Sequence, residues 1–112
     1  EQVRHYTYGG DLAKGIRVCI EHPKALNEDF NISTARSTTV LELAELIWKK
    51  IHGTKKPFRF TSDQAFDYDV QRRVPDVTKS KKLLGFEATT SLEQILDEVV
   101  PWVKEQVEAG RI

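Results

Sequence analysis

The sequence predicts an α+β fold of about four helices with two or three short strands. Two capping patterns, at Thr39 and Ser91, each precede a run in which apolar residues recur at helical spacing. Three short runs rich in aromatic and β-branched residues, RHYTY, FNIS and FRFT, are bounded by glycine, proline or polar loops and read as strands. The chain has 112 residues, enough for one domain over 1–112 and too few for two.

Arg4 to Tyr8 alternates large side chains, and Gly9-Gly10 ends that run in a turn that places Asp11 as a helix cap. Leu12, Ile16, Cys19 and Ile20 then recur on one helical face, and Pro23 stops the helix after His22. Gly15 costs that helix about 1 kcal/mol relative to alanine, which is tolerable where another segment must come close. After a polar loop, Phe30 to Ser33 is the second strand.

The helix from Thr39 to Ile51 has the clearest pattern. Thr39 and Glu42 form a capping box, Val40, Leu43, Ala44, Ile47 and Ile51 share a face, and Gly53 closes the helix. Lys49, Lys50, His52, Lys55 and Lys56 cluster at its carboxyl end. That cluster reads as a phosphate patch or, more simply, as cations favoured by the helix dipole. Phe58 to Thr61 is the third strand. Asp63, Asp67 and Asp69 follow without the glycine and terminal glutamate of an EF-hand, so the loop reads as solvated and acidic. Phe66 and Tyr68 within it either stack on a flat ligand or anchor the loop to the core.

The stretch QRRVPDVTKSKKLLGF, Gln71 to Phe86, organises the functional reading. Pro75 pushes Val74 towards extended geometry, and the chain turns at Asp76 into a short basic helix closed by Leu83, Leu84 and Gly85. Arg73 and Asp76 then share a rim, where a planar guanidinium matches phosphate oxygens and a carboxylate can hold a sugar hydroxyl. The plainer alternative is that Asp76 is a cap and Arg72 and Arg73 a solvated pair. Ser91 and Gln94 form a second capping box, which opens a helix to Val107 with the stripe Leu92, Ile95, Leu96, Val99 and Val103. Pro101 predicts a kink or break near Asp97 to Val100. Trp48 and Trp102 read as core or interface aromatics.

Composition narrows the function classes. Lys plus Arg and Asp plus Glu number 17 each, and this balance argues against a nucleic-acid binder. Hydrophobic residues make up 39% and charged residues 30%, so the core is modest. A lone Cys19 inside an apolar helix forms no internal disulfide and points to a reducing, cytoplasmic setting. No run approaches a membrane span and no signal peptide opens the chain. The chain contains no methionine and begins at Glu1, as a piece of a longer protein or a processed one does. His5, His22 and His52 fall in three contexts with no metal-ligand spacing. Neither a glycine-rich dinucleotide or triphosphate cradle nor a tyrosine followed four residues on by lysine is present. Catalysis by this chain alone is not expected.

The order RxYxYxxD, FNIS, STTVLELAELI, RRVPDVTKSKKLLGFE and SLEQIL resembles, over essentially the whole chain, the carboxyl-terminal part of the NAD-dependent epimerase/dehydratase family. These are the extended short-chain dehydrogenase/reductases that act on nucleotide sugars. The resemblance implies a C-terminal fragment of an extended SDR α/β fold lacking most of the Rossmann domain, inactive alone and binding no cofactor itself, with NAD in the full-length parent. It assigns Arg4 and Arg73 to the substrate diphosphate, Asp76 to the nucleotide side and Arg72 to a neighbouring role. The implied partners are a nucleotide-diphosphate sugar and the missing N-terminal Rossmann domain, whose sheet edge the FNIS strand would join. Self-association through exposed surfaces is also implied, while nucleic acid and membranes are not. Gly9-Gly10 departs from the family, which commonly has a valine and one more residue before the aspartate. A stand-alone protein-interaction domain is the alternative from another class.

Overall fold

The computed structural model describes residues 2–112. In chain order they form β1 (Val3–Arg4), α1 (Gly9–Glu21), a 3-10 turn (Pro23–Ala25), β2 (Thr38–Thr39), α2 (Val40–His52), α3 (Thr78–Leu84) and α4 (Leu92–Glu108). Both capping boxes form. Thr39 Oγ1 accepts from the Glu42 amide at 3.0 Å while the Glu42 carboxylate accepts from the Thr39 amide at 2.7 Å. Ser91 and Gln94 repeat the exchange at 3.2 and 3.0 Å. Gly53 and Gly85 end α2 and α3 at φ 74° and 64°, a region that glycine enters without a Cβ penalty.

Several sequence expectations change. Gly9-Gly10 is the start of α1 rather than a turn before it, with Tyr8 as the extended residue at its head. Asp11 therefore does not cap. Its carboxylate sits in the first turn, where the helix dipole favours an anion, and accepts from the Thr90 amide at 2.9 Å, tying α1 to the approach to α4. The helix carries its apolar stripe, but rotated away from the core: Leu12, Ile16 and Ile20 are exposed, Ile20 by 79%. The inward face carries Gly15, Val18 and Cys19. A Cβ on Gly15 would lie 3.0 Å from two Phe86 ring carbons and closer still to an Ile32 methyl, so the absent side chain lets that segment approach. α4 runs unbroken through Pro101. Proline removes one donor, and the turns before it are already held by the Ser91 box and by the burial of Leu92 and Leu96.

Of the three expected strands, only the first forms in part, as Val3–Arg4. It pairs antiparallel with Thr38–Thr39, in the register Val3 to Thr39 and Arg4 to Thr38. On its other side Val3 bridges in parallel to Arg72. The Val3 amide donates to the Gln71 carbonyl at 2.8 Å, and the Arg73 amide donates to the Val3 carbonyl at 3.2 Å. FNIS and FRFT are irregular among the described residues. In FNIS the alternation survives without a ladder, because Phe30 and Ile32 pack on the core. In FRFT the two phenylalanines are held by aromatic contacts instead: Phe58 meets Trp48 edge-on at 5.9 Å and stacks with Phe60 at 5.5 Å.

The core is small. Ala25, Leu84 and Phe86 are buried, with Val18, Cys19, Phe30, Ile32 and Ala88 packed around them. α4 packs along α2. The radius of gyration is 17.2 Å, against roughly 13 Å for a compact domain of this length. The apolar surface of the chain is correspondingly left open along α1 and the second half of α4, where Val99, Trp102, Val103 and Val107 are exposed.

Candidate functional site

β1 is the centre of the site because it is the middle strand of a three-segment weave. β2 lies on one side and Gln71–Arg73 on the other. This brings Arg4 beside a segment almost seventy positions later in the sequence. The two arginines the sequence singles out, Arg4 and Arg73, line one cleft of about 770 Å³. Gln2, His5 and Tyr6 contribute from the β1 segment, Asn31 and Ser33 from FNIS, and Val74 and Pro75 from the turn before α3. The alternation in FNIS explains its part: the apolar residues face the core and the polar ones the cleft.

The guanidinium groups are held differently. Arg4 donates from Nη1 to the Val3 carbonyl at 2.9 Å, and its Nη2 lies 3.7 Å from the Asp69 carboxylate. Asp69 also accepts from the Gln2 side-chain amide. Arg73 has its backbone sewn to Val3, while its side chain makes no ion pair among the described residues. A cleft with one fixed guanidinium and one without an ion pair among the described residues suits an anion with more than one oxygen to share.

The other two expected residues do not line the cleft. Arg72 forms the bridge to Val3 and is exposed. Asp76 precedes Val77, the N-cap of α3, and its carboxylate accepts from the Thr78 amide at 2.9 Å, so it holds the turn into the helix rather than capping it. Hydrogen bonding to the Thr78 side chain, then to its amide, holds the Asp76 carboxyl below its ordinary range. The Asp76 carbonyl accepts from Asn31 Nδ2 at 3.0 Å, so the turn reaches the cleft through that asparagine. With Nδ2 engaged, Asn31 keeps its Oδ1 as the unspent acceptor.

Sequence reasoning missed Gln2, His5, Tyr6, Asn31, Ser33 and Asp69. His5 Nδ1 lies 2.8 Å from the Thr34 carbonyl and Nε2 lies 2.8 Å from the Ser37 hydroxyl. A carbonyl only accepts, so Nδ1 carries the proton, and His5 fastens the loop after FNIS to β1. The one signal that pointed to any of these was the period-two alternation of RHYTY and FNIS; the pairing partners lie too far along the chain to be read. Phe66 and Tyr68 do not anchor their loop on the core, since both are almost fully exposed. The cation cluster at the carboxyl end of α2 is mostly spoken for, with Lys49 on Glu45 at 2.8 Å, Lys50 on Asp97 and Lys56 over the Trp48 ring at 5.2 Å. No group of three potential metal ligands occurs among the described residues. The three glycines with positive φ, Gly53, Gly85 and Gly110, follow helices rather than precede them.

A model of the GDP-mannose 4,6 dehydratase family matches residues 1–99. UDP-glucuronic acid decarboxylase 1 of Xenopus tropicalis is 31% identical over 108 residues, which are 96% of this chain and 24% of the decarboxylase. Among solved structures, the UDP-glucose 4-epimerase of Thermotoga maritima with UDP-glucose is 34% identical at a TM-score of 0.76, covering 96% of this chain and 33% of the epimerase. The dTDP-glucose 4,6-dehydratase of Bacillus anthracis in complex with NAD is 25% identical at a TM-score of 0.74, covering 96% of this chain and 33% of the dehydratase. The chain thus spans about a quarter to a third of the length of these proteins.

Proposed function

The chain belongs to the GDP-mannose 4,6 dehydratase family, and from that premise we propose that it is the carboxyl-terminal, substrate-holding portion of an NAD-dependent nucleotide-sugar epimerase, dehydratase or decarboxylase. Residues 1–112 act as one domain in this reading and carry no activity by themselves. The observation that supports it is the convergence of Arg4 and Arg73 on one cleft. Arg4 and Arg73 hold the diphosphate of a nucleotide sugar, each through charge-assisted hydrogen bonds worth about 1.5–3 kcal/mol. Asn31, fixed by the Asp76 carbonyl, offers an acceptor on the nucleotide side. Arg72 adds charge at the rim. Binding energy on this remote part of the substrate keeps the sugar in register with the redox cofactor.

The open radius and the exposed stripe of α1 are what a portion of a larger fold shows, with the remaining part of the enzyme covering that stripe. The same stripe is the observation that favours the second reading, a protein-interaction domain. No helix among the described residues is long and apolar enough to cross a membrane, and a cytoplasmic setting belongs to the proposal. The test is Arg73→Ala in the intact enzyme, with the Michaelis constant for the nucleotide sugar rising about tenfold, or 1.4 kcal/mol, at little change in kcat. An unchanged Michaelis constant would remove the diphosphate reading and leave the interaction domain.

A further inference from the structure

We propose that Asp69 is a positioning residue: it presents Arg4 to the cleft in a fixed attitude without consuming the hydrogens that a ligand needs. The inference rests on the diphosphate reading and adds to it a residue outside the cleft lining. Asp69 comes from the irregular segment between α2 and α3, 65 positions after Arg4, yet its carboxylate touches two cleft residues at once. One oxygen accepts from Gln2 Nε2 and the other faces Arg4 Nη2. The Asp69 amide donates to the Phe66 carbonyl at 3.1 Å, which closes a turn and fixes the backbone that carries the carboxylate.

The distance decides what this pair does. At 3.7 Å the Arg4–Asp69 contact lies outside hydrogen-bond range, and both side chains are mostly shielded, at 26% and 21% exposure. Attraction between partly shielded charges is strong enough at that separation to select one orientation of the guanidinium. The Nη2 hydrogens stay available for an incoming oxygen. Arg4 is also tied through Nη1 to the Val3 carbonyl, so its fork is set at two points before any ligand arrives. Rotamer freedom lost in advance is not lost on binding, which favours affinity. A fixed carboxylate also repels an anion, and this opposes the first effect. Arg4 lines the cleft and Asp69 does not, so a ligand meets the guanidinium first, and positioning outweighs repulsion.

The experiment follows the amide spectrum of the 112-residue chain on titration with uridine diphosphate, for the parent chain and for Arg4→Ala, Arg73→Ala, Asp69→Ala, Asp69→Asn and the double variant Arg4→Ala/Asp69→Ala. The expected result is weaker binding by about tenfold in Asp69→Ala and by a smaller factor in Asp69→Asn, which keeps an acceptor for Gln2. The Asp69→Ala effect should vanish when Arg4 is already alanine, because it acts through Arg4; a general loss of structure would persist there. Asp69→Asn keeps the side-chain shape and serves if Asp69→Ala loses its dispersed spectrum. Binding in the Asp69 variants that equals or exceeds that of the parent chain, or that falls equally in the Arg4→Ala background, overturns the inference and leaves the diphosphate reading standing. A parent chain that does not bind uridine diphosphate, or binds it regardless of Arg4 and Arg73, overturns both.

Discussion

α1 and the first half of α4 have similar apolar spacing and opposite fates. In α4, Leu92 and Leu96 are buried to 4% and 5% exposure beside α2, whereas in α1 the residues at the corresponding spacing, Leu12, Ile16 and Ile20, face outward. The helix period places side chains on a common stripe, but it does not say what lies opposite. α1 instead meets the core through Gly15, Val18 and Cys19, a face chosen by how closely Ile32 and Phe86 approach rather than by how apolar it looks. The difference separates the part of the chain whose apolar residues pack within it from the part whose apolar surface stays exposed.

The contrast is broken most strongly at Leu96. Leu96→Ala is expected to destabilise the chain by about 2–5 kcal/mol in denaturant unfolding, while Ile20→Ser changes stability by no more than about 0.5 kcal/mol. Equal losses at the two positions would mean that α1 is packed in solution and that its stripe is not a free face. The inner face of α1 is probed by Gly15→Ala. The added methyl meets Ile32 and Phe86, and overpacking of this kind costs about 1–3 kcal/mol despite the better helix propensity of alanine. A stabilised variant would show that the two segments have room to part.

The smallest effect concerns the cap of α2. Hydrogen bonding to the Thr39 amide, then to its side chain, holds the Glu42 carboxyl below its ordinary 4.5. A group whose folded pKa is lowered contributes its stability in full above the unfolded value, and that contribution is lost as pH falls through the folded value. Urea midpoints should therefore fall on acidification below the ordinary glutamate range, and Glu42→Gln should flatten that dependence. An unaltered slope would assign the acid sensitivity to other carboxylates, Asp76 among them, whose pKa is lowered in the same direction.

What was legible in the sequence was local. Thr39 with Glu42, Ser91 with Gln94, Gly53 and Gly85 each act within four residues, and each was read correctly because the physics of a helix end is contained in its own turn. Asp11 shows the limit: the helix began three residues early, and the carboxylate found a partner at Thr90 that no local rule supplies. The short strands failed for the same reason, since FNIS and FRFT have the side chains of strands but no neighbour to pair with among the described residues.

The sequence by itself determined four helices, the ends set by the Thr39 and Ser91 boxes and by Gly53 and Gly85, and the two arginines worth watching. Tertiary structure alone decided that those arginines share a cleft, that Asp69 lies 3.7 Å from one of them, and that the Asp76 carboxylate is engaged by the Thr78 amide. The physical reason is chain separation. A cap or a helical stripe is settled by neighbours a turn away, but the meeting of Arg4 with Arg73 depends on backbone hydrogen bonds from Val3 to Gln71 and Arg73 across the length of the chain.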